Sequence, residues 1–247
     1  MQKHAPPRSC GNMHIPPNVT CKLMNTNIDK YIVNLEENIY DNISHIVKED
    51  SIDQIVMRDL YESHVLEYRS AKFQEFYFRT IKNENLYLKS VDFYRQFKKQ
   101  YALQGIDNNY LDNLEVNKRE ILNLIISDRL SELYFNFFHK AKVKYRADYK
   151  EKNLDSFFAK LVHTFRPDEY CALDNPIKDY FKLSKESFYV SFFIISHAYK
   201  KWGANNNKII GTIKNELKLL DKREVIKQDK LTNLKLLDLI FWSRANR

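Results

Sequence analysis

Three residues in the middle of the chain, Lys160, His163 and Asp174, carry side chains that could do chemistry at a sugar carbon. A lysine amine that is partly removed from water beside other cations can act as a nucleophile on C1′ of a nucleoside. An aspartate close to a glycosidic bond can stabilise an oxocarbenium-like transition state or direct a water molecule. Because 14 residues separate Lys160 from Asp174, only the fold can bring them together.

Each of these residues also has a plainer interpretation. Asp174 could serve only to cap a helix, Lys160 could be a lysine whose amine reaches solvent at the surface, and His163 could be an ordinary surface or core histidine. The surrounding residues favour a site, because further cationic, aromatic and amide side chains lie close by in the sequence. These are Arg166, Tyr170, Asn175 and Lys178.

Two predicted helices position these residues. Residues 154–165 form an amphipathic helix, and Lys160, His163 and Thr164 fall off its apolar stripe, so we expect them to point toward a different surface. The stripe consists of Leu154, Phe158, Leu161 and Phe165. A second helix opens at Asn175-Pro176, where the restriction before proline predicts Asn175 as the N-cap. Asp174 would then lie just outside a helix N-terminus, whose positive dipole end attracts a negative charge.

The composition predicts an all-α protein. The chain has only 4 Gly and 6 Pro in 247 residues, and four of the prolines lie within the first 17 residues, so long Lys-, Glu- and Leu-rich runs are almost unbroken. Ser184 is predicted to cap helix 185–202, and Gly203 to end it. The other predicted helices cover residues 28–48, 52–82, 90–103, 118–146, 207–222 and 231–242.

The first 23 residues differ from the rest of the chain. They are Pro-rich and lack apolar periodicity, which predicts a disordered tail followed by one helical domain over 24–247. Three cysteines, two of them in this segment, favour a reducing cytoplasm over a disulfide scaffold. No apolar run is long enough to predict a membrane helix, so we expect a cytoplasmic monomer without membrane contact.

Charge is distributed unevenly along the chain. The net charge is +8, but residues 24–60 carry three Lys or Arg against eight Asp or Glu, whereas residues 208–247 carry ten against five. Arg69 lies in a stretch that interleaves cations with aromatic residues. A basic body with an acidic front helix indicates an electropositive surface of the kind that binds a phosphate backbone. Ordinary solvated Lys-rich helices would have the same composition.

The sequence lacks the patterns that indicate a metal site, a phosphate-binding loop or a hydrolase nucleophile. His139, His163 and His197 are far apart, and no HxxxH or CxxC pair occurs, which argues against a metal site. The four glycines are scattered and form no phosphate-binding loop, and no nucleophile-elbow pattern is present. We therefore expect neither a metal nor another cofactor.

The pattern K-x-x-H-x-F-x-P-x-x-Y-x-x-L-D-N-P-I over 160–177, together with K-x-L-D-L-I-F-W over 235–242, resembles the helix-hairpin-helix DNA glycosylase superfamily. The resemblance implies a two-lobed all-α bundle with a cleft, in which Asp174 is the catalytic carboxylate. It also makes Lys160 the nearest candidate for the Schiff-base lysine of the bifunctional members. The Gly-rich L-P-G-x-G hairpin that binds phosphate in that family is absent from this chain.

The resemblance implies a DNA glycosylase that flips out a modified or damaged base and cleaves its N-glycosidic bond. Divergent members of the family resemble phage-defence enzymes, so hypermodified phage DNA is an expected substrate. Tyr170 or Trp202 would stack on the flipped base and Arg166 and Lys178 would hold phosphates. The other predicted contacts to DNA are His163, Asn175 and Arg69. Two alternatives stay open: a non-enzymatic helical module that binds nucleic acid or protein, and an abortive-infection toxin.

Overall fold

Helices make up nearly all the regular structure in the computed structural model, which describes residues 17–145 and 148–247 and, for side chains, 27–143 and 148–247. The all-α prediction is confirmed. The helices are α1 (Pro17–Glu49), α2 (Ile52–Gln54), α3 (Tyr68–Thr80), α4 (Glu84–Lys89), α5 (Phe93–Gln100), α6 (Asn108–Val116), α7 (Lys118–Ile126), α8 (Leu130–Leu133), α9 (Asp155–Phe165), α10 (Asn175–Tyr180), α11 (Phe188–Asn205), α12 (Asn207–Leu220) and α13 (Asn233–Ala245). The remaining described elements are two π-helical segments, π1 (Ile55–Leu66) and π2 (Tyr134–Phe138), and an antiparallel hairpin of β1 (Ala141–Tyr145) and β2 (Asp148–Lys152).

Helix α13 lies at the centre of the fold. It packs against π1, α10 and α11, while α1 runs along the far side of α11. Every residue from Leu234 to Phe241 is buried, and all of them except Lys235 and Asp238 are apolar, so other helices surround this segment. The buried apolar residues form one continuous cluster, and the division into two lobes stays a prediction.

The predicted helix 118–146 is wrong as a single element. Its chain leaves the helix after Ile126, where the Ser127 hydroxyl donates to the Asn123 carbonyl at 2.6 Å and Asp128 takes a left-handed conformation with φ 59°. Short polar side chains that bond the backbone locally compete with helix continuation. After α8 and π2 the chain forms the hairpin, in which Ala141 pairs with Lys152.

The predicted helix 52–82 is also interrupted. Glu67 is extended, with ψ 122°, and separates π1 from α3. The wider winding of π1 places residues five apart on one face, and both Asp59 and His64 are buried there. Asp59 and His64 therefore both face the core from this π-helical segment.

Two predictions about α11 are wrong. Its N-cap is Ser187, whose hydroxyl accepts from the Val190 amide at 3.2 Å, and Ser184 instead donates to Asp179. Gly203 lies inside the helix and does not end it. A Cβ atom on Gly203 would lie 3.3 Å from the Cβ atom of Asn233, so this glycine allows close approach of α11 and α13.

The N-terminal prediction falls partly outside the described residues. Residues 1–16 are not described, whereas 17–23 belong to α1, which extends to Glu49. The predicted tail boundary at 23 therefore disagrees with the helix. Among the described residues, no helix combines the length and apolar character that crossing a membrane requires.

Candidate functional site

The link between α9 and α10 determines where Asp174 lies. Asp174, and not the predicted Asn175, is the N-cap of α10, since its backbone is extended (φ −134°, ψ 173°) and its Oδ1 accepts from the Ile177 amide at 3.4 Å. Asn175 is the first residue inside the helix and is exposed. The capping hydrogen bond is long and uses one carboxylate oxygen, which leaves the other oxygen free to interact elsewhere.

That second oxygen faces Lys160. The Lys160 Nζ lies 3.7 Å from Asp174 Oδ2, and each side chain is 13% exposed. Lys160 Nζ is also 5.5 Å from the centroid of the Tyr101 ring. The fold thus brings together the two residues predicted to be catalytic, in a position that is shielded but still open to solvent.

A second ion pair lies behind the first one. Lys235 Nζ and Asp238 Oδ2, both on α13, are 3.5 Å apart, with side chains only 3% and 8% exposed. The Lys235 amine lies 4.3 Å from the ring centroid of Tyr77 and 5.5 Å from that of Phe73, an arrangement that stabilises a cation. Asp238 Oδ1 has no hydrogen-bond partner within the described part of the chain.

The two pairs are electrostatically coupled. Burial raises the pKa of Asp238 to about 6; the Lys235 charge opposes this, the Asp174 carboxylate adds to it, and Lys160 opposes it. Burial also lowers the pKa of Lys235, against the attraction of Asp238. Two amines and two carboxylates thus form one group, which we call the lysine cluster (Lys160, Asp174, Lys235 and Asp238).

His163 is fully buried, so the prediction that it points to a surface and contacts DNA is wrong. Its Nδ1 lies 2.6 Å from the Tyr170 carbonyl, and because a carbonyl can only accept, Nδ1 carries the proton. Nε2 therefore accepts from the Tyr77 hydroxyl at 2.8 Å. Burial, reinforced by the Lys235 charge, lowers the pKa of His163 to about 3. The neutral ring holds the link that leads to Asp174.

The predicted phosphate-binding residues already have partners. Arg166 forms an ion pair with Asp128 and lies 5.1 Å from the Tyr170 ring centroid. Lys178 donates to the Glu186 carbonyl at 2.5 Å. Arg166 is therefore neutralised by a carboxylate, whereas Lys178 is bonded to an uncharged carbonyl and keeps its charge; both cations are partly exposed.

The predicted base-stacking residues are not free to stack. Trp202 is buried, with its indole N–H donating to the Ser44 hydroxyl at 3.0 Å, so this prediction is wrong. The Tyr170 ring stacks on Phe192, with centroids 5.3 Å apart, and its hydroxyl donates to Asp128. Arg69 is exposed on α3, and no hydrogen bond or ion pair joins it to the lysine cluster within the described residues.

The sequence patterns did not identify Lys235, Asp238 or Tyr77 as part of this site. Lys235 and Asp238 did leave a signal, since they are the only charged residues in the run from Leu234 to Phe241. Two opposite charges three residues apart in an apolar helix must be paired in the interior, where an unpaired charge is costly. Tyr77 left no such signal, because the surrounding segment is rich in aromatic residues.

This arrangement can hold the Lys160 amine and the Asp174 carboxylate against a substrate atom. The Lys235–Asp238 ion pair, which is buried from water, interacts with them electrostatically. Among the described residues, no group of three or more potential ligands could hold a metal ion. Comparison of the chain with protein families, with curated proteins and with solved structures gave no match in any of the three.

Proposed function

We propose that this chain is a DNA glycosylase, in which Lys160 and Asp174 act at C1′ of a nucleotide that has been flipped out of the DNA. The observation that carries the proposal is the 3.7 Å separation of the Lys160 amine and the Asp174 carboxylate, which come from different elements and are both partly exposed. A surface lysine and a simple helix cap would have no reason to meet in a shielded position. The resemblance over 160–177 assigns the catalytic role to the same two residues.

In one route, Lys160 is the nucleophile. Asp174 accepts a proton from the lysine ammonium, and the free amine attacks C1′. The Nζ–C1′ bond forms as the C1′–N glycosidic bond breaks, while the base leaves with the bonding electron pair and is protonated by solvent. Ring opening then gives an imine between the sugar and Lys160, which borohydride reduces to a stable covalent adduct.

In the other route, water is the nucleophile. Asp174 stabilises positive charge at C1′ as the glycosidic bond breaks, and it accepts a proton from the attacking water. Lys160 then serves to hold the carboxylate in position. The two routes give different products with borohydride, because only the first one leaves the protein covalently attached to the DNA.

The test measures base release from DNA that contains hydroxymethylated or glucosylated cytosine, with unmodified DNA as the comparison. We expect release from the modified DNA, and a loss of about a thousandfold in the Asp174→Asn variant, since a positioned acid or base contributes about 10²–10⁴-fold. Asp179→Asn is the matched control, because Asp179 lies on α10 but is exposed. Full activity in Asp174→Asn would contradict the catalytic role.

A non-enzymatic nucleic-acid-binding module is the second candidate. Four lysines around one groove near the start of α13 favour it, since such a surface can bind phosphate without any chemistry. The two candidates differ in one measurement. Binding of DNA without release of any base from modified, damaged or unmodified DNA would support the module.

A further inference from the structure

A polar groove of about 760 Å³ opens beside the lysine cluster. Its walls are formed by the turn between α3 and α4, the link after α9, the facing sides of α11 and α12, and the segment that leads into α13. Helix α13 connects the groove with the lysine cluster along the chain, because Thr232–Leu234 line the groove and Lys235 belongs to the cluster. Lys160 and Asp174 themselves do not line the groove.

Four lysines reach this groove, against two carboxylates. The lysines are Lys82, Lys200, Lys214 and Lys230, and the acids are Asp168 and Asp229. The excess of positive charge at a concave surface concentrates anions there. The chain lacks a glycine-rich hairpin that could perform the same task with backbone amides.

Two of the lysines have only uncharged hydrogen-bond partners among the described residues, although burial lowers the pKa of Lys214 and the charge of Asp168 opposes that shift. Lys214 Nζ donates to the Leu231 carbonyl at 2.6 Å and to Asn233 Oδ1 at 3.1 Å. Lys230 Nζ donates to the Phe78 carbonyl at 2.9 Å. These bonds fix the two amines at the groove wall without neutralising their charges, and each ammonium has at least one further proton to donate.

The other two lysines form exposed ion pairs at the rim. Lys82 pairs with Asp168, and Lys200 pairs with Glu169, with both members of each pair about half exposed to solvent. Such pairs contribute little to stability, so a phosphate can replace the carboxylate at small cost. The rim lysines can therefore turn toward a ligand.

We infer that this groove binds the phosphodiester backbone of a nucleic acid, with Lys214 and Lys230 as its fixed phosphate ligands and Lys82 and Lys200 as its rim. This inference rests on the proposed function and deepens it, since the groove includes Thr232–Leu234 at the start of α13, which directly precede Lys235 of the lysine cluster. It also replaces Arg166, whose charge is paired with Asp128, as a phosphate contact.

The experiment uses the full chain with a fluorescein-labelled 15-nucleotide single strand and a duplex of equal length, titrated by anisotropy at several salt concentrations. We expect the Lys214→Gln/Lys230→Gln variant to bind about 10- to 100-fold more weakly at low salt. The slope of log affinity against log salt should become shallower by about two, one for each lost phosphate contact.

The matched control is Lys218→Gln/Lys222→Gln, which removes two exposed lysines outside the groove. It should change affinity less than threefold. Lys82→Gln/Lys200→Gln removes only exposed side chains, and it gives a second measurement if the first variant folds poorly, as judged by its melting curve. Equal weakening by groove and control variants, or equal displacement of DNA by polyglutamate, would overturn the inference.

Base release separates this inference from the proposed function. With DNA at a limiting concentration, base release by the groove variants should fall in proportion to their loss of affinity, whereas Asp174→Asn should bind normally and release almost no base. Lys218→Gln/Lys222→Gln should keep the wild-type rate. Wild-type affinity in the groove variants with base release intact would refute the groove and leave the glycosylase standing. Weakened binding in the groove variants, with no base release by the wild type or any variant, would support the groove and refute the glycosylase.

Discussion

Two charged clusters involve the two ends of α13, and they are built differently. One is the lysine cluster. The other, which we call the arginine cluster, consists of Asp50, Arg58, Asp59, Arg244 and Arg247. Both contain acids and bases close to the core, but only the arginine cluster has every carboxylate tightly hydrogen-bonded.

In the arginine cluster, both carboxylate oxygens of Asp59 have hydrogen-bond donors, although its side chain is 0% exposed. Asp59 Oδ1 accepts from Arg58 Nε at 3.1 Å and from Arg247, and its Oδ2 accepts from Arg244 Nε at 2.8 Å. Planar guanidinium groups present several donors in a fixed geometry, so one carboxylate can be held from several directions. This cluster ties π1 to the C-terminal end of α13.

The lysine cluster is satisfied only in part. Its two pairs are separated by 3.7 Å and 3.5 Å, and one oxygen of Asp238 has no partner within the described residues. A buried acceptor without a partner costs stability, so the lysine cluster supports the fold less well than the arginine cluster does. The loose cluster is the one to which we assign the proposed chemistry.

Removal of Asp59 should have the largest effect on stability. In Asp59→Ala, three arginines lose their shared carboxylate in a buried position, and we expect the free energy of unfolding to fall by about 3–5 kcal/mol. Chemical denaturation measures this change. Asp53→Ala, at an exposed position of α2, is the control and should cost less than about 1 kcal/mol. A loss below about 1 kcal/mol for Asp59→Ala would remove the distinction between the clusters.

The inner pair of the lysine cluster should behave differently when both partners are replaced. Lys235→Met alone leaves the Asp238 carboxylate buried without a cation, and should cost about 3 kcal/mol in the free energy of unfolding. Lys235→Met with Asp238→Leu removes both charges and should be neutral or stabilising by about 1 kcal/mol or more. Base release should fall in both variants. A double variant as unstable as the single one would show that the pair is structural.

The pH dependence of stability should have opposite signs in the two regions. Burial lowers the pKa of His64, five residues from Asp59, to about 4, so the unfolded chain binds a proton that the folded chain does not. The contribution of neutral His64 to the free energy of unfolding, about 3 kcal/mol, is therefore lost as pH falls from about 6.5 to 4. His64→Asn should flatten this part of the stability profile measured by denaturation.

Asp238 has the reverse effect, because its pKa is raised to about 6 and the folded chain binds the extra proton. Its ionisation destabilises the folded chain as pH rises from about 3.8 to 6, again by about 3 kcal/mol. Asp238→Asn should therefore gain stability relative to the wild type across that window. A constant difference between Asp238→Asn and the wild type from pH 4 to 7 would contradict the burial of an ionisable carboxylate there.

The sequence predicted the parts of the site that depend on local signals. The helix over 154–165 is present within one residue, its apolar stripe is buried, and α10 begins beside Pro176 as expected. Apolar periodicity and proline geometry act over a few residues, so they are readable without the fold. The assignment of the cap to Asn175 failed by a single residue, which is the usual uncertainty at a helix end.

Other errors came from competition that a single segment cannot reveal. Residues 118–146 have an apolar pattern that suits a helix, yet the chain forms a hairpin at 141–152. Gly203 looked like a helix end because glycine often follows one, but it lies where α11 approaches α13 closely, with an added Cβ atom 3.3 Å from the Asn233 Cβ atom. The first error reflects local competition at Ser127 and strand pairing, and the second reflects a contact with a distant helix.

The sequence by itself determined that the chain is helical and that α9 and α10 flank a rigid link. Only the tertiary structure decided that Lys160 meets Asp174, that His163 is buried behind them, and that Lys235 and Asp238 complete the cluster. Local patterns record which residues must avoid water. They do not record which charged side chains from separate helices will share the same small volume, because that depends on how the helices pack.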